Sequence, residues 1–498
     1  MDKNLSDFLN KSPADFKRDD FLRIIEEKGI ERLTFHYTAL DGRLKELKVP
    51  VNGGNQAENI LAAGERVDGS SLFRGIVDAD VSDLYVIPEY KTAFLNPFDK
   101  KSLDFICRFL NKNGDRASFA PDNILYKANS LFQKNTGLDL FTYGELEFFL
   151  IYSSNPDIFP LQKQLGYQES APFRKSGEIL DEMVHHISRV TGVVKYSHSE
   201  VGFIRSIQSD LEEIRGKSAE QLEVEFLPMP VEDMADCLIL SRWIIRNVAF
   251  KYGCVATFAP KIELGVAGNG LHFHFQLRKN DKNIMTHSNG RLSEDARRLI
   301  GGLCYCAPSL TAFGNTVASS YLRLIPHYEA PTRIFWSDLN RSALIRVPLA
   351  WTNVQNLAGK INPQDEFKER DPGSHQTVEF RSPDGSALVY LLLAGIAMSA
   401  DWAFTSDQSL KLAEMSYIKG EEYSDKEFLD RFPLLPSNCA ESAEILVEKR
   451  DFYEREGIFP PSIIDYLADF LREENTKVIS FSGSIDMRKL MHQYIHIR

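Results

Sequence analysis

Four strand-like stretches each carry two polar side chains separated by one apolar residue, and this repeated pattern restricts the fold more than any other feature. Glu145 and Glu147 stand in YGELEFFLIY, and Glu223 and Glu225 in QLEVEFLP. His272 and His274 stand in GNGLHFHFQL, and Glu379 and Arg381 in TVEFRSPD. On a strand, a spacing of two puts both side chains on one face. For any single pair, a face turned to water is the ordinary reading, and a lone His is more often a satisfied polar residue than a ligand. Taken together, the pairs point elsewhere. The opposite faces are strongly apolar, as with Leu271, Phe273, Phe275 and Leu277, so the pattern predicts a sheet curved around a polar interior.

Carboxylates with one or two imidazoles and no thiolate suit Mg²⁺ or Mn²⁺ better than zinc. Five or more clustered carboxylates cannot all stay ionised without a cation, because each raises the pKa of the others. Two divalent ions would relieve that repulsion. Arg323, Arg333, Arg341 and Arg346 follow closely in sequence, with Arg381 beyond them. Guanidinium forks match carboxylate and phosphate oxygens. Metals with an Arg array form a constellation suited to phosphoryl transfer, with an exposed basic strip as the lesser reading of the Arg run. No GxxxxGK[ST] motif is present, and GVAGNG leads into a strand rather than a helix, so a nucleotide would be held by other means. No Ser-His-Asp or Cys-His signature stands out.

The 498 residues carry 58 Lys and Arg against 70 Asp and Glu, a formal charge of −12. That balance argues against a nucleic-acid partner. The six cysteines are scattered with no CxxC pair, which fits a reducing, cytoplasmic setting. The N-terminus has no apolar h-region, and Val389 to Met398 is too short to span a bilayer, so no membrane partner is expected. Residues 14–28 predict an amphipathic helix closed by Gly29, and RLTFHYT and KELKVPV predict a hairpin through Asp41-Gly42. Further strands are read in DLYVIPEY and DFICRFL, and helices over 122–132, 177–191, 230–252 and 293–305. The class is α+β: an N-terminal helical segment (1–30), a small sheet domain (31–114) and a large catalytic-sized domain (115–498).

Read in order, several segments resemble the glutamine synthetase family. FHYTALDGRLKELKVPV is similar to its β-grasp opening, VDGSSLFRGIVDADVSDLYVIP to its DGSS segment, and GELEFFL to its first metal-ligand strand. ATFAPKIELGVAGNGLHFH, SSYLRLIPHYEAPTRIFWSDLNRSALIRVP and VEFRSPDGSALVYLLLAGI extend the match. The resemblance implies a β-grasp domain followed by a catalytic domain with a curved antiparallel sheet flanked by helices. It also implies a ring-shaped homo-oligomer with active sites shared between subunits. Glu147, Glu200 and Glu223 would hold one Mg²⁺ or Mn²⁺ ion, and Glu145, His272 and Glu379 the other. His274, Arg341 and Arg346 would face ATP, while Gly268, Arg323, Glu329, Arg341 and Arg381 would hold glutamate. Asp68, Ser71 and Tyr167 would form an ammonium pocket, with Asp68, Glu329, Arg341 and Arg381 the catalytic set.

The chain departs from the family at identifiable places. An insertion follows Glu200, Glu220 replaces the Gly before Gln221, and Ala267 stands where Asn is usual. Glu213 or Glu225 could therefore take the place of Glu223. The resemblance implies ATP-dependent ligation of ammonia to the γ-carboxylate of glutamate through a γ-glutamyl phosphate. A γ-glutamyl–amine or polyamine ligase is the alternative, and a non-catalytic relative ranks below both.

Overall fold

The N-terminal amphipathic pattern forms helix Arg18–Lys28, which buries Phe21 and Ile24 and ends where Gly29 adopts a left-handed φ of 60°. The computed structural model describes residues 5–79, 82–153, 157–325, 330–350, 357–364, 374–420, 426–479 and 484–498. Within the first sheet, β1 (Arg32–Thr38) and β2 (Leu44–Pro50) form the expected hairpin. Gly42 supplies positive φ at its turn, and Asp41 accepts the Arg43 amide at 3.0 Å. Strands β3 (Glu65–Asp68), β4 (Asp83–Pro88), β5 (Phe94–Leu95) and β6 (Ser102–Leu110) complete a six-stranded sheet in the order β2-β1-β6-β4-β3, with β5 on β6.

A second sheet of ten strands carries the polar pairs. Its main path joins β7 (Asp139–Tyr152), β8 (Val194–Ile204), β9 (Ser218–Phe226) and β12 (Leu271–Lys279) to β14 (Trp336–Asp338), β15 (Ile345–Val347) and β16 (Val378–Phe380). The order is β14-β15-β16-β12-β7-β9-β8, with the short β10 (Met229–Pro230) and β11 (Val255–Thr257) on β7 and β13 (Lys282–Asn283) on β12. Except for the parallel β14–β15 pair, its ladders are antiparallel.

Leu146, Phe148, Leu222, Val224, Phe273, Phe275, Val378 and Phe380 fill one side of this sheet and are fully buried. Helix Val231–Lys251 packs on β7, and helix Val389–Thr405 packs on Pro121–Thr136 and Glu294–Gly314. Helix Glu294–Gly314 runs past the predicted end at Tyr305 and contains Pro308. Burial along its second half outweighs the lost hydrogen bond. At Gly302, an added Cβ would stand 2.4 Å from Ser399 O, so the absence of a side chain permits the close helix crossing.

Among the described residues no single helix is long and apolar enough to cross a membrane. Val389–Thr405 and Ser409–Met415 pass that test together, but they meet at 104° and the longer one is almost wholly buried.

The two sheets are tied by charge. Arg108 on β6 donates to Asp236 on helix Val231–Lys251 at 2.5 and 3.0 Å and to Glu89 at 2.5 Å. Asp122 lies 3.9 Å from the same guanidinium, and burial pushes its carboxyl up to about 6 against the opposing pull of Arg108. A raised folded-state pKa gives stability that is complete below the ordinary Asp range and lost as pH rises through about 6. Asp122→Asn is therefore expected to gain about 1–3 kcal/mol at about pH 8 and little at about pH 4, read by denaturant melts at both. Equal effects at the two pH values would contradict the assignment.

Candidate functional site

Strand register draws the predicted pairs into one row. Arg346 on β15 stands opposite Glu379 on β16, which stands opposite His274 on β12. His272 faces Glu145 on β7, while Glu145 faces Glu225 and Glu147 faces Glu223 on β9. Glu223 in turn faces His198 on β8. This polar face is not turned to water: Glu147, Glu223, Glu225, His272, His274, Glu379 and Arg381 are all buried.

Two groups in the row can each hold a metal ion, with their ligand atoms within 4.8 Å of one another: Glu145, His272 and Glu379, and His198, Glu200 and Glu223. The first is the expected trio. His272 Nδ1 lies 3.0 Å from Glu145 and 3.7 Å from Glu379. The second joins His198 to two of the expected ligands, with its Nε2 3.1 Å from Glu223 and its Nδ1 3.7 Å from Glu200. Glu147 sits between the groups. Its Oε2 accepts from the Gly270 amide at 2.8 Å and from Gln221 at 2.9 Å, and its Oε1 is 3.8 Å from His272. Gln221 also donates to Gly268 O at 3.1 Å and accepts the Gly202 amide at 3.0 Å, which fixes its orientation.

The alternatives to Glu223 have other partners. Glu225 pairs with Lys195 at 2.6 Å, and Glu213 pairs with His496 at 2.6 Å on the surface. Glu220 serves the segment before helix Gly177–Thr191 instead. It accepts from the Lys175 and Ser176 amides at 2.9 and 3.1 Å and from the Ser176 hydroxyl at 2.5 Å, anchoring the start of helix Gly177–Thr191.

Charge is balanced unequally across the row. Burial would raise Glu145, but the charges and hydrogen bonds of His274 and His272 hold its carboxyl well below the usual range. Burial likewise opposes ionisation of Glu379, and Arg381 wins, keeping its carboxyl low. Glu379 accepts from Arg381 and, at 2.9 Å, from Arg346. Glu223 has only the His198 imidazole beside it. Burial and the charges of Glu145, Glu147, Glu200 and Glu379 push it well above the usual range. Hard oxygen donors with imidazole, and a buried carboxylate crowded by others, fit a divalent cation of the Mg²⁺ or Mn²⁺ type.

The remaining predicted residues spread outward from this row. Arg323 is buried against it, 3.2 Å from His272 Nε2, and donates to Ser382 O at 2.9 Å. His274 uses both ring nitrogens, on Glu145 at 2.8 Å and Thr377 at 3.0 Å, and stacks on Tyr143 with centroids 4.4 Å apart. Tyr167 is exposed, with its ring edge-on to His198 at 5.3 Å. Gly268 and Gly270 admit no side chain: a Cβ would come 2.2 Å from Pro260 O at the first and 2.6 Å from His272 Nε2 at the second. Ala267 gives its amide to Gln164 at 2.9 Å.

Arg341 is exposed on the turn before β15, whereas Arg333 leaves the array to pair with Asp430 at 2.5 Å. Asp68, at the free edge of the first sheet, accepts from the Ser70 and Ser71 hydroxyls at 2.7 and 2.5 Å. Those bonds hold its exposed carboxyl down to about 2. Glu329 lies outside the described residues.

Comparison with known proteins gives the same picture. The model for the glutamine synthetase catalytic domain matches residues 118–489, and that for the glutamine synthetase beta-grasp domain matches residues 29–112. A glutamine synthetase of Aquifex aeolicus is 28% identical over 492 residues, covering 92% of this chain and 95% of its own. One of Pyrococcus horikoshii is 28% identical over 436 residues, 86% of each chain. The cryo-EM structure of Plasmodium falciparum glutamine synthetase shares the fold, with a TM-score of 0.76 at 23% identity over 95% of this chain and 98% of that one. With both domain types present and two metal-competent clusters on the sheet, the chain belongs to the glutamine synthetase family of ATP-dependent amide ligases.

Proposed function

We propose that the protein joins ammonia to the γ-carboxylate of L-glutamate through a γ-glutamyl phosphate formed from ATP. The observation that carries this reading is the pair of adjacent clusters with Arg323, Arg346 and Arg381 set against them. Glu145, His272 and Glu379 would hold one Mg²⁺ or Mn²⁺ ion, and His198, Glu200 and Glu223 the other, with Glu147 between them. Such ions supply charge stabilisation for the transferring phosphoryl group.

The chain's own residues perform the remaining tasks. A carboxylate is a poor electrophile, and phosphorylation gives it a leaving group that an amine nitrogen can displace. Arg346 and Arg381 both donate to Glu379, which holds two guanidinium groups beside the first cluster, where they would face an anionic substrate. We assign Arg341 and Arg346 to ATP, and Gly268, Arg323, Arg341 and Arg381 to glutamate. His274 would position Glu145 and come to phosphate only by giving up one of its present partners. Glu329 would close over the site and help take a proton from the incoming ammonium.

Asp68 and Ser71 would enter a neighbouring subunit's site in a ring-shaped homo-oligomer, opposite Tyr167. Two features support this. Asp68 is exposed at a sheet edge, and its carboxyl, held down to about 2, stays anionic for ammonium to approach. The unpaired cysteines, five of them buried, accord with a cytoplasmic enzyme.

A larger amine is the alternative nucleophile, kept by Ala267 where the family usually has Asn and by the insertion after Glu200. The test gives purified protein glutamate, ATP and Mg²⁺ with ammonium or a panel of primary amines, and measures phosphate release. Ammonium-dependent release is expected. Release with an amine but not with ammonium would reassign the nucleophile.

A further inference from the structure

Away from the clusters, a cavity of about 760 Å³ opens where the N-terminal segment, the six-stranded sheet and helices Gly177–Thr191 and Val231–Lys251 meet. That volume lies in the range of small-molecule sites. Its floor is apolar, with Phe16, Phe94, Ile106 and Leu240 all buried. The charges around it are unequal. Its acidic residues are already matched: Asp233 pairs with Lys91 at 2.6 Å, and Asp236 with Arg108 at 2.5 Å. Its His186 is turned to Glu182 at 3.3 Å. Lys28, Lys100 and Arg189 also line the cavity, and among the described residues no carboxylate lies within ion-pairing reach of any of them. Lys28 lies instead over the Phe8 ring, 4.2 Å from its centroid.

An apolar floor beneath unmatched cations is complementary to one kind of molecule. We propose that this cavity binds a small amphipathic anion, its carboxylate or phosphate head on Lys28, Lys100 and Arg189 and its apolar body against Phe16, Phe94, Ile106 and Leu240. Cationic side chains at the mouth give charge-assisted hydrogen bonds to the head, and burial of the body supplies the rest. Such an occupant would bridge three parts of the chain that otherwise meet around open space. Cys237 takes no part as a nucleophile, because burial pushes its thiol up to about 12.

Calorimetric titration of the purified full-length protein, without ATP or glutamate, tests this with octanoate, octyl phosphate and octanol as probes. One anion per chain is expected, with octanol bound at least about tenfold more weakly. The stronger of the two anions identifies the head group. Arg189→Glu and Lys100→Glu are each expected to weaken the anions by about tenfold. Val190→Trp, which narrows the cavity without changing charge, is expected to abolish binding while circular dichroism stays native. The proposal is overturned if octanol binds as well as the anions, or if natively folded variants bind unchanged. Displacement of the anion by Mg²⁺-ATP would also overturn it, by placing the molecule in the catalytic site. Because no ligase turnover is measured, failure here leaves the proposed reaction standing, and failure of that reaction leaves this test intact.

Discussion

Glu223→Gln is expected to cut turnover by about 10²–10³-fold while making the metal-free protein more stable at neutral pH. The two effects have one cause. Glu223 is buried beside four other carboxylates, and its pKa is raised by burial and by those charges. A carboxyl with a raised folded-state pKa contributes stability that is full below the ordinary Glu range and lost as pH climbs through its folded value. Gln has the same shape and no charge, so the metal-free variant avoids that loss. The measurement is a pair of melting curves, without metal and with saturating Mg²⁺, between about pH 5 and pH 8. Metal-free wild type should fall away from the variant as pH rises, and Mg²⁺ should rescue wild type far more than the variant. A variant with full activity, or one that Mg²⁺ stabilises as much as wild type, would remove Glu223 from the site.

Arg108→Met is expected to cost about 3–5 kcal/mol of stability, the largest loss anticipated for a residue outside the site. Its guanidinium is buried and neutralises Asp236 and Glu89, with Asp122 at 3.9 Å and the Tyr390 hydroxyl donating to Asp236 at 2.6 Å. Removing the cation leaves buried carboxylates facing one another at the junction of the two sheets. Denaturant midpoints measure the loss. Pairing Arg108→Met with Asp236→Leu should recover part of it, because replacing both partners by apolar groups avoids an orphaned charge. A loss below about 1 kcal/mol, as for a surface pair, would contradict this account.

The i, i+2 spacing made most of the site readable from sequence because β7, β9, β12 and β16 lie inside the sheet. Strands packed by helices on one side must alternate, so Glu145, Glu147, Glu223, His272, His274 and Glu379 stood out against Leu, Val and Phe. His198 and Glu200 obey the same spacing in KYSHSEVGF, but β8 is the end strand. Lys195, Tyr196 and Ser197 give its first half no apolar face, and the register slips between Ser199 and Phe203.

Gln221 was harder to read, because its role comes from touching Glu147 and Gly268 far away in sequence. Arg333 looked like a member of the array and belongs to Asp430, a pairing across 97 residues that local pattern cannot foresee. Helix lengths were legible where caps were strong, as at Gly192 after Gly177–Thr191. They were less so where burial carried Glu294–Gly314 through Pro308.

The sheet presents two separate clusters of unequal make-up, each able to hold a divalent cation. Manganese binding, followed by calorimetry and by the loss of the free-ion electron paramagnetic resonance signal, tests it most directly. Two ions per chain are expected in the wild-type protein. Glu223→Gln should lose one and keep the other, and Glu145→Gln should show the reverse loss. A single ion in wild type, or two ions retained in both variants, would contradict it.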